Sequence, residues 1–151
     1  MSTTPIFALP GPAAALEEGT ALTPKFDADG VVICVATDAA SGDVLMVAHM
    51  NAEALAKTIA TGEAWYYSRS RRALWRKGET SGHTQRIVEM RVDCDQDAVW
   101  IKVEQVTAAC HTGRRSCFYR AVPLGQEGGQ VRLEFREERV FDPKAVYQNK
   151  D

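Results

Sequence analysis

The side chains able to do chemistry in this chain are bunched rather than scattered. Cys110 and Cys117 bound the run Cys-His-Thr-Gly-Arg-Arg-Ser-Cys, and Cys94 lies sixteen residues before Cys110. Zinc prefers thiolate and imidazole donors in a tetrahedral shell, and a catalytic zinc keeps one position for water. Cys94, Cys110 and Cys117 would supply three ligands and leave that position open. Cysteines also pack as small hydrophobes, which suits Cys34 inside the apolar run Val31-Val32-Ile33-Cys34-Val35-Ala36. The other three stand beside polar or charged residues, and spacing alone leaves both readings open for them.

Carboxylates gather around the first of these thiols, in Asp93-Cys94-Asp95-Gln96-Asp97. In an extended chain alternate residues share a face, so Asp93 and Asp95 lie opposite Cys94. One strand end could then serve a borderline-soft metal through sulfur and a hard one, Mg²⁺, through oxygen. Grouped like charges are unfavourable without a cation, although a solvated hairpin turn would tolerate them. Asp93, Asp95, Asp97 and Glu104 also fall on EF-hand loop positions, but Ala98 stands where that loop needs Gly. The EF-hand match is coincidental.

Two histidines are candidate proton carriers. His111 adjoins Cys110, and His83 stands between Gly82 and Thr84. Three thiolates make zinc a weak Lewis acid, so a nearby base would matter. Either histidine could instead close the shell as an inert Cys₃His site. His49, in an apolar run, reads as a packing residue. Arg69, Arg71, Arg72, Arg76 and Lys77 are interleaved with Trp65, Tyr66, Tyr67 and Trp75. That mixture suits phosphates and a stacked base, or else a solvated cationic loop. Arg114 and Arg115, inside the second thiol block, join the candidates for substrate contact.

These groups must be held by elements the patterning makes plain. Residues 31–36 and 44–48 read as a hairpin around the turn residues 38–43. Asn51 reads as the cap of a helix over residues 52–60, stopped by Gly62, with Leu55 and Ile59 on its apolar face. A strand at residues 65–67 enters the arginine segment. From Thr84 the alternation places Val88, Met90 and Val92 on one face and Glu89 and Arg91 on the other, and a second strand covers residues 98–106. A last β pair flanks Gly128-Gly129. The fold class is α+β, mainly antiparallel strands with one or two helices, as an intertwined homodimer. Residues 1–25 form a flexible arm with a helical turn near residues 13–18, residues 26–140 the single domain, and residues 141–151 a tail.

The dimer follows from reach. A strand over residues 98–106 spans roughly 26 Å at ~3.3 Å per residue. The four steps from Val106 to Cys110 return at most ~14 Å. The remaining gap of about 12 Å is too wide for sulfurs each ~2.3 Å from one zinc. Cys94 is therefore expected to meet Cys110 and Cys117 of a second chain.

Composition removes other classes. Eighteen Lys and Arg against twenty Asp and Glu give a net charge of −2, so no global basic field draws the chain to nucleic acid or anionic membrane. No stretch approaches the ~18 apolar residues of a membrane span. Residues 1–20 lack a basic n-region and a long apolar run, and carry Glu17 and Glu18 but no Arg. A cytoplasmic location with free thiols is expected.

Four blocks together resemble one family: Glu63-Ala64-Trp65-Tyr66-Tyr67-Ser68-Arg69-Ser70-Arg71, Leu74-Trp75-Arg76-Lys77-Gly78-Glu79-Thr80-Ser81-Gly82-His83, Arg91-Val92-Asp93-Cys94-Asp95-Gln96-Asp97-Ala98, and residues 110–120. They are similar to the phosphoribosyl-AMP cyclohydrolases of histidine biosynthesis, from about residue 43 to residue 120. The resemblance implies opening of the adenine ring of N1-(5-phosphoribosyl)-AMP between N1 and C6 by a cytoplasmic homodimer. It further implies zinc on Cys94, Cys110 and Cys117, drawn from both subunits, and Mg²⁺ on Asp93, Asp95 and Asp97. His49 departs from the aromatic residue that relatives often carry. The rival readings are a structural-zinc module binding nucleic acid through the basic aromatic segment, and a zinc hydrolase of another nucleotide or cyclic amidine.

Overall fold

The computed structural model describes residues 5–147, so the parts of the arm and tail at residues 1–4 and 148–151 lie outside the described residues. Val31–Asp38 (β1) and Val44–Asn51 (β2) form the expected antiparallel hairpin, with Val32 opposite Met50 and Cys34 opposite Ala48. Asp38 closes its turn by accepting the Ser41 and Ala40 amides at 2.8 and 3.1 Å. Those bonds, the Ser41 amide foremost, hold its carboxyl below the usual range.

The helix follows directly as Ala52–Thr61 (α2). The Asn51 side chain accepts the Ala54 amide at 2.9 Å, and Gly62, at φ 73°, ends the helix in the left-handed region. Its buried face is Ala54, Leu55 and Thr58, whereas Ile59 is 49% exposed, against expectation. The Thr58 hydroxyl accepts the Trp65 amide at 2.9 Å and donates to Ala54 O at 2.8 Å, which turns that arc of the helix toward the next strand.

Trp65–Ser68 (β3) pairs antiparallel with Ala73–Arg76 (β4), a strand the patterning did not announce. Gln85–Val92 (β5) and Ala98–Gln105 (β6) form the second hairpin. The expected face of β5 is wrong in two of its three members: Val88 and Val92 are 56% and 40% exposed. A bulge between Ile87 and Glu89 inserts one residue and shifts the phase, so Gln85, Ile87 and Met90 turn inward instead.

The main sheet has the order β2-β1-β6-β5, with β1 and β6 parallel at its centre and the outer pairs antiparallel. Cys34, Leu45, Met50, Leu55, Tyr66, Ile101 and Val103 fill the core under it. The amino-terminal helical turn is Ala13–Glu18 (α1). Beyond the core, Arg120–Ala121 (β7) pairs with Glu134–Phe135 (β8) around a 3₁₀ turn at Gly128–Gln130, a shorter pair than the alternation there suggests. Pro143–Tyr147 (α3) ends the described chain. No helix among the described residues is long and apolar enough to cross a membrane.

Candidate active site

The candidate residues divide between the two ends of β6. Beyond its carboxyl end, the loop of residues 109–117 folds back on itself: Ala109 N–H donates to Arg115 O at 2.9 Å and Cys110 N–H to Arg114 O at 3.1 Å. Cys117 N–H reaches Leu45 O at 2.7 Å and the Ser116 hydroxyl donates to Val44 O at 2.7 Å, tying the loop to the start of β2. The fold-back brings the two sulfurs together. Interaction between the two thiols pulls that of Cys110 well below its usual range and pushes that of Cys117 up. Thr112 Oγ1 lies 3.0 Å from Cys110 Sγ.

Lys77 is part of this cluster. It is buried, donates from Nζ to Ala109 O, and stands near both sulfurs; burial lowers its pKa, while its electrostatic interaction with Cys117 and Cys110 opposes that. Its ammonium is thus spent inside the thiol cluster rather than offered on the arginine surface. His83 is buried beside it, with its ring edge against Phe141 (centroids 4.8 Å apart). Burial first, and Lys77 second, hold the imidazole below its usual pKa, so it is neutral at pH 7. Its Nδ1 is buried and has no hydrogen-bond partner among the described residues. A chain of buried amides fixes its backbone: Tyr66 Oη donates to Gln85 Oε1, Gln85 Nε2 to Gln105 Oε1, and Gln105 Nε2 to His83 O, at 2.6, 2.8 and 3.0 Å.

His111 is exposed and lines a cavity of about 410 Å³ together with Cys117, Lys77, Trp75 and Arg76. Two glycines make the enclosure possible. Gly78, at φ 90°, would place a Cβ 2.6 Å from Thr84 N, and Gly113, at φ 96°, would place one 2.5 Å from Phe141 O. No side chain fits at either crossing. The chain over residues 137–147 straps this loop, since Val140 N–H donates to Gly113 O at 2.7 Å and Arg139 Nε to Thr112 O at 2.8 Å. Tyr147 lines the thiol cavity. Sequence reasoning missed Phe141, Tyr147, Gln85 and Gln105 as parts of the site. None carried a local signal: in the plain alternation Gln85 shares the face of Glu89 and Arg91, and only the bulge turns it inward.

The amino end of β6 is the opposite kind of place. Asp93 N–H donates to Ala98 O and Gln96 N–H to Asp93 O, both at 3.1 Å, closing the tight turn. Asp93 Oδ1 also accepts the Asp97 and Ala98 amides at 3.0 and 3.2 Å. Asp93, Asp95 and Asp97 each bring one oxygen within 4.8 Å of the others. Neighbouring Asp93 and Asp95 push the Asp97 carboxyl up to about 6, while Asp95, accepting from Asp97, is lowered. The hairpin-capping reading holds for Asp93, and the three oxygens are spaced as a hard divalent cation would need.

Cys94 is exposed at this tip. Among the described residues, Asp93, Asp95 and Asp97 are the one grouping of three potential ligands, so the three cysteines do not converge within a chain. β6 has eight residues, and at ~3.3 Å per residue roughly 25 Å separates the two ends. The donor chemistry at the other end, two neighbouring sulfurs with that of Cys110 held as the stronger acid, fits a thiolate-bound metal that still lacks a ligand.

The arginine segment splits. Arg69, Arg71, Arg72 and Trp75 line a second, open cavity of about 910 Å³ with Asp29 and His49, and Arg71 and Trp75 also line the thiol cavity. Arg69 pairs with Asp29 at 3.8 Å, and Arg76 with Glu63 at 3.1 Å. Arg115 grips Asp43 and Asp38 at the β1–β2 turn at 3.1 and 3.5 Å. Arg114 stacks over Tyr119 and Phe135, at 4.3 and 5.1 Å to the ring centroids. Arg114 and Arg115 line neither cavity. Cys34 is sealed in the core, where burial pushes its thiol up to about 12.

The chain matches the family described as phosphoribosyl-AMP cyclohydrolase over residues 46–119, a stretch that contains every candidate site residue. Proteins named phosphoribosyl-AMP cyclohydrolase resemble it over most of its length. That of Nitrobacter hamburgensis is 71% identical over 136 residues, 89% of this chain and 92% of the relative. That of Bradyrhizobium diazoefficiens is 71% identical over 132 residues, 87% of this chain and 94% of the relative. That of Bradyrhizobium sp. strain ORS 278 is 73% identical over 128 residues, 84% and 98% of the two chains.

Proposed function

The chain belongs to the phosphoribosyl-AMP cyclohydrolase family, hydrolases acting on carbon–nitrogen bonds of cyclic amidines, and from that premise we propose the reaction and the roles of its residues. Water adds to C6 of the purine of N1-(5-phosphoribosyl)-AMP and the N1–C6 bond breaks. The water oxygen becomes the oxygen of a carboxamide, and N1 leaves with a proton as part of a formimino group. This is a step of L-histidine biosynthesis, carried out in the cytoplasm.

The observation that carries the reading is the pairing of Cys110 and Cys117 beside a cavity that His111, Trp75 and Arg76 also line. Zinc on Cys94, Cys110 and Cys117 would supply Lewis-acid activation of the attacking water. His111, exposed on the cavity wall, takes the water proton and returns it to N1. His83 does not line that cavity and is neutral and enclosed, so it serves as a support for Lys77 and the strap rather than as the first base. Lys77 offsets the thiolate charge. Trp75 stacks the purine, and Arg69, Arg71 and Arg76 hold the phosphates across the two adjoining cavities. Mg²⁺ on Asp93, Asp95 and Asp97 would add positive charge for those phosphates.

The separation of Cys94 from the other two thiols supports a site shared between two copies. Ile33, Val47 and Trp100, half-exposed on the outer face of the sheet, offer apolar surface for the second copy. Metal analysis together with a spectroscopic ring-opening assay tests the function: full turnover in zinc-free protein would sink the mechanism. Mixing Cys94→Ala and Cys110→Ala proteins tests the sharing. Each is inactive alone, but mixed dimers regain one intact site, about a quarter of wild-type activity in an equal, randomised mixture. A site held within one chain regains none.

A further inference from the structure

The turn bearing Cys94 carries a residue its own backbone does not favour. Gln96 sits at φ 60°, in the left-handed region where Gly and Asn are the usual occupants, yet it is only 5% exposed. Its side chain explains the choice. Oε1 accepts the Thr23 amide at 2.9 Å, and Nε2 donates to Leu16 O and Ala21 O at 3.0 and 3.3 Å. Its carbonyl accepts the Lys25 amide at 2.7 Å. One buried amide thus satisfies three backbone groups of the amino-terminal arm, whose own helix is six residues long with no buried side chain. Between arm and turn lies a cleft of about 190 Å³ walled by Leu16, Glu17, Val92, Asp93 and Cys94.

We infer that Gln96 is a positioning residue, which uses the amino-terminal arm to hold the Cys94 turn in its metal-receiving shape. The arm lies outside the matched stretch of residues 46–119 but forms a wall beside one of its ligands. A left-handed non-glycine residue persists where the surroundings over-determine it, and here the arm does so. The inference rests on the zinc reading proposed above.

Gln96→Gly and Gln96→Asn separate positioning from folding. Both residues suit φ 60° better than Gln, so a role confined to the turn predicts unchanged or raised Tm and unchanged metal binding. Positioning predicts protein that still folds, because relief at φ 60° offsets part of the lost arm bonds, but zinc affinity lowered about 10–100-fold, the range for loss of a residue that orients a ligand. Zinc affinity is read by competition with a chromophoric chelator in the full-length protein. Cleavage by trypsin after the exposed Lys25, followed by mass spectrometry, should accelerate in parallel. Wild-type zinc affinity in both variants overturns the inference, whether or not the arm is released. Wild-type protein with no affinity for zinc would defeat the zinc reading and this inference together, whereas zinc in wild type with unaltered variants defeats the inference alone.

Discussion

The two ends of β6 hold chemically related groups in opposite surroundings. At the carboxyl end, Cys110, Lys77 and His83 are buried, and Gly78 and Gly113 admit no side chain. At the amino end, Cys94 and Asp93 stand in the open on a tight turn, and the arm supplies the neighbouring wall. The buried end can set the state of its thiols, because charges interact strongly away from water. The exposed end can do little to its carboxylates except crowd them. What it gains is access, which the proposed sharing of Cys94 with a second copy would require.

Changes that break this contrast should be felt in order of how much each end depends on its surroundings. Cys110→Ala has the largest expected effect: zinc content and turnover vanish together, measured by metal analysis and the ring-opening assay. His111→Ala comes next. It should retain zinc while kcat falls roughly 10²–10⁴-fold, the usual contribution of a positioned proton carrier. A loss of zinc along with rate would instead make His111 a ligand.

Smaller effects test the packing. Gly113→Ala forces a Cβ into the Phe141 carbonyl at a positive φ and should destabilise the protein by about 2–4 kcal/mol, visible as a lowered Tm. Gly42, also at positive φ but with nothing near its Cβ position, should lose only about 1 kcal/mol on the same change. At the exposed end, Asp93→Ala removes the acceptor of two turn amides and should lower stability by about 1–2 kcal/mol in urea titration. Asp95→Ala, which caps nothing, should stay within ~0.5 kcal/mol. Both should weaken Mg²⁺ binding, so equal affinity for Mg²⁺ in wild type and variants would remove the aspartates from any metal site.

Local signals accounted for much of the architecture. Asn51 and Gly62 delimited α2 because capping is decided by a few neighbouring atoms, and residues 38–43 announced a turn for the same reason. The β5 face was misread at Val88 because a bulge depends on how the partner strand pairs. Ile59 failed as a core residue because Thr58, polar by type, won the buried position through bonds to Trp65 and Ala54. The parallel pairing of β1 with β6 left no trace in either strand's own pattern.

The candidate residues themselves were legible from type and spacing: thiols, alternating aspartates, adjacent histidine, interleaved arginines and aromatics. Strand length even showed that Cys94 could not reach its counterparts in the same chain, since a β-strand is nearly inextensible. Which side chains share a cavity was a different matter. That Lys77 leaves the arginine surface to sit beside sulfur, that His111 lines the cavity while His83 lies behind it, and that the strap and the arm wall the two ends were settled only by packing. Such neighbours are brought together by chain crossings many residues apart, and neither propensity nor periodicity encodes where those crossings fall.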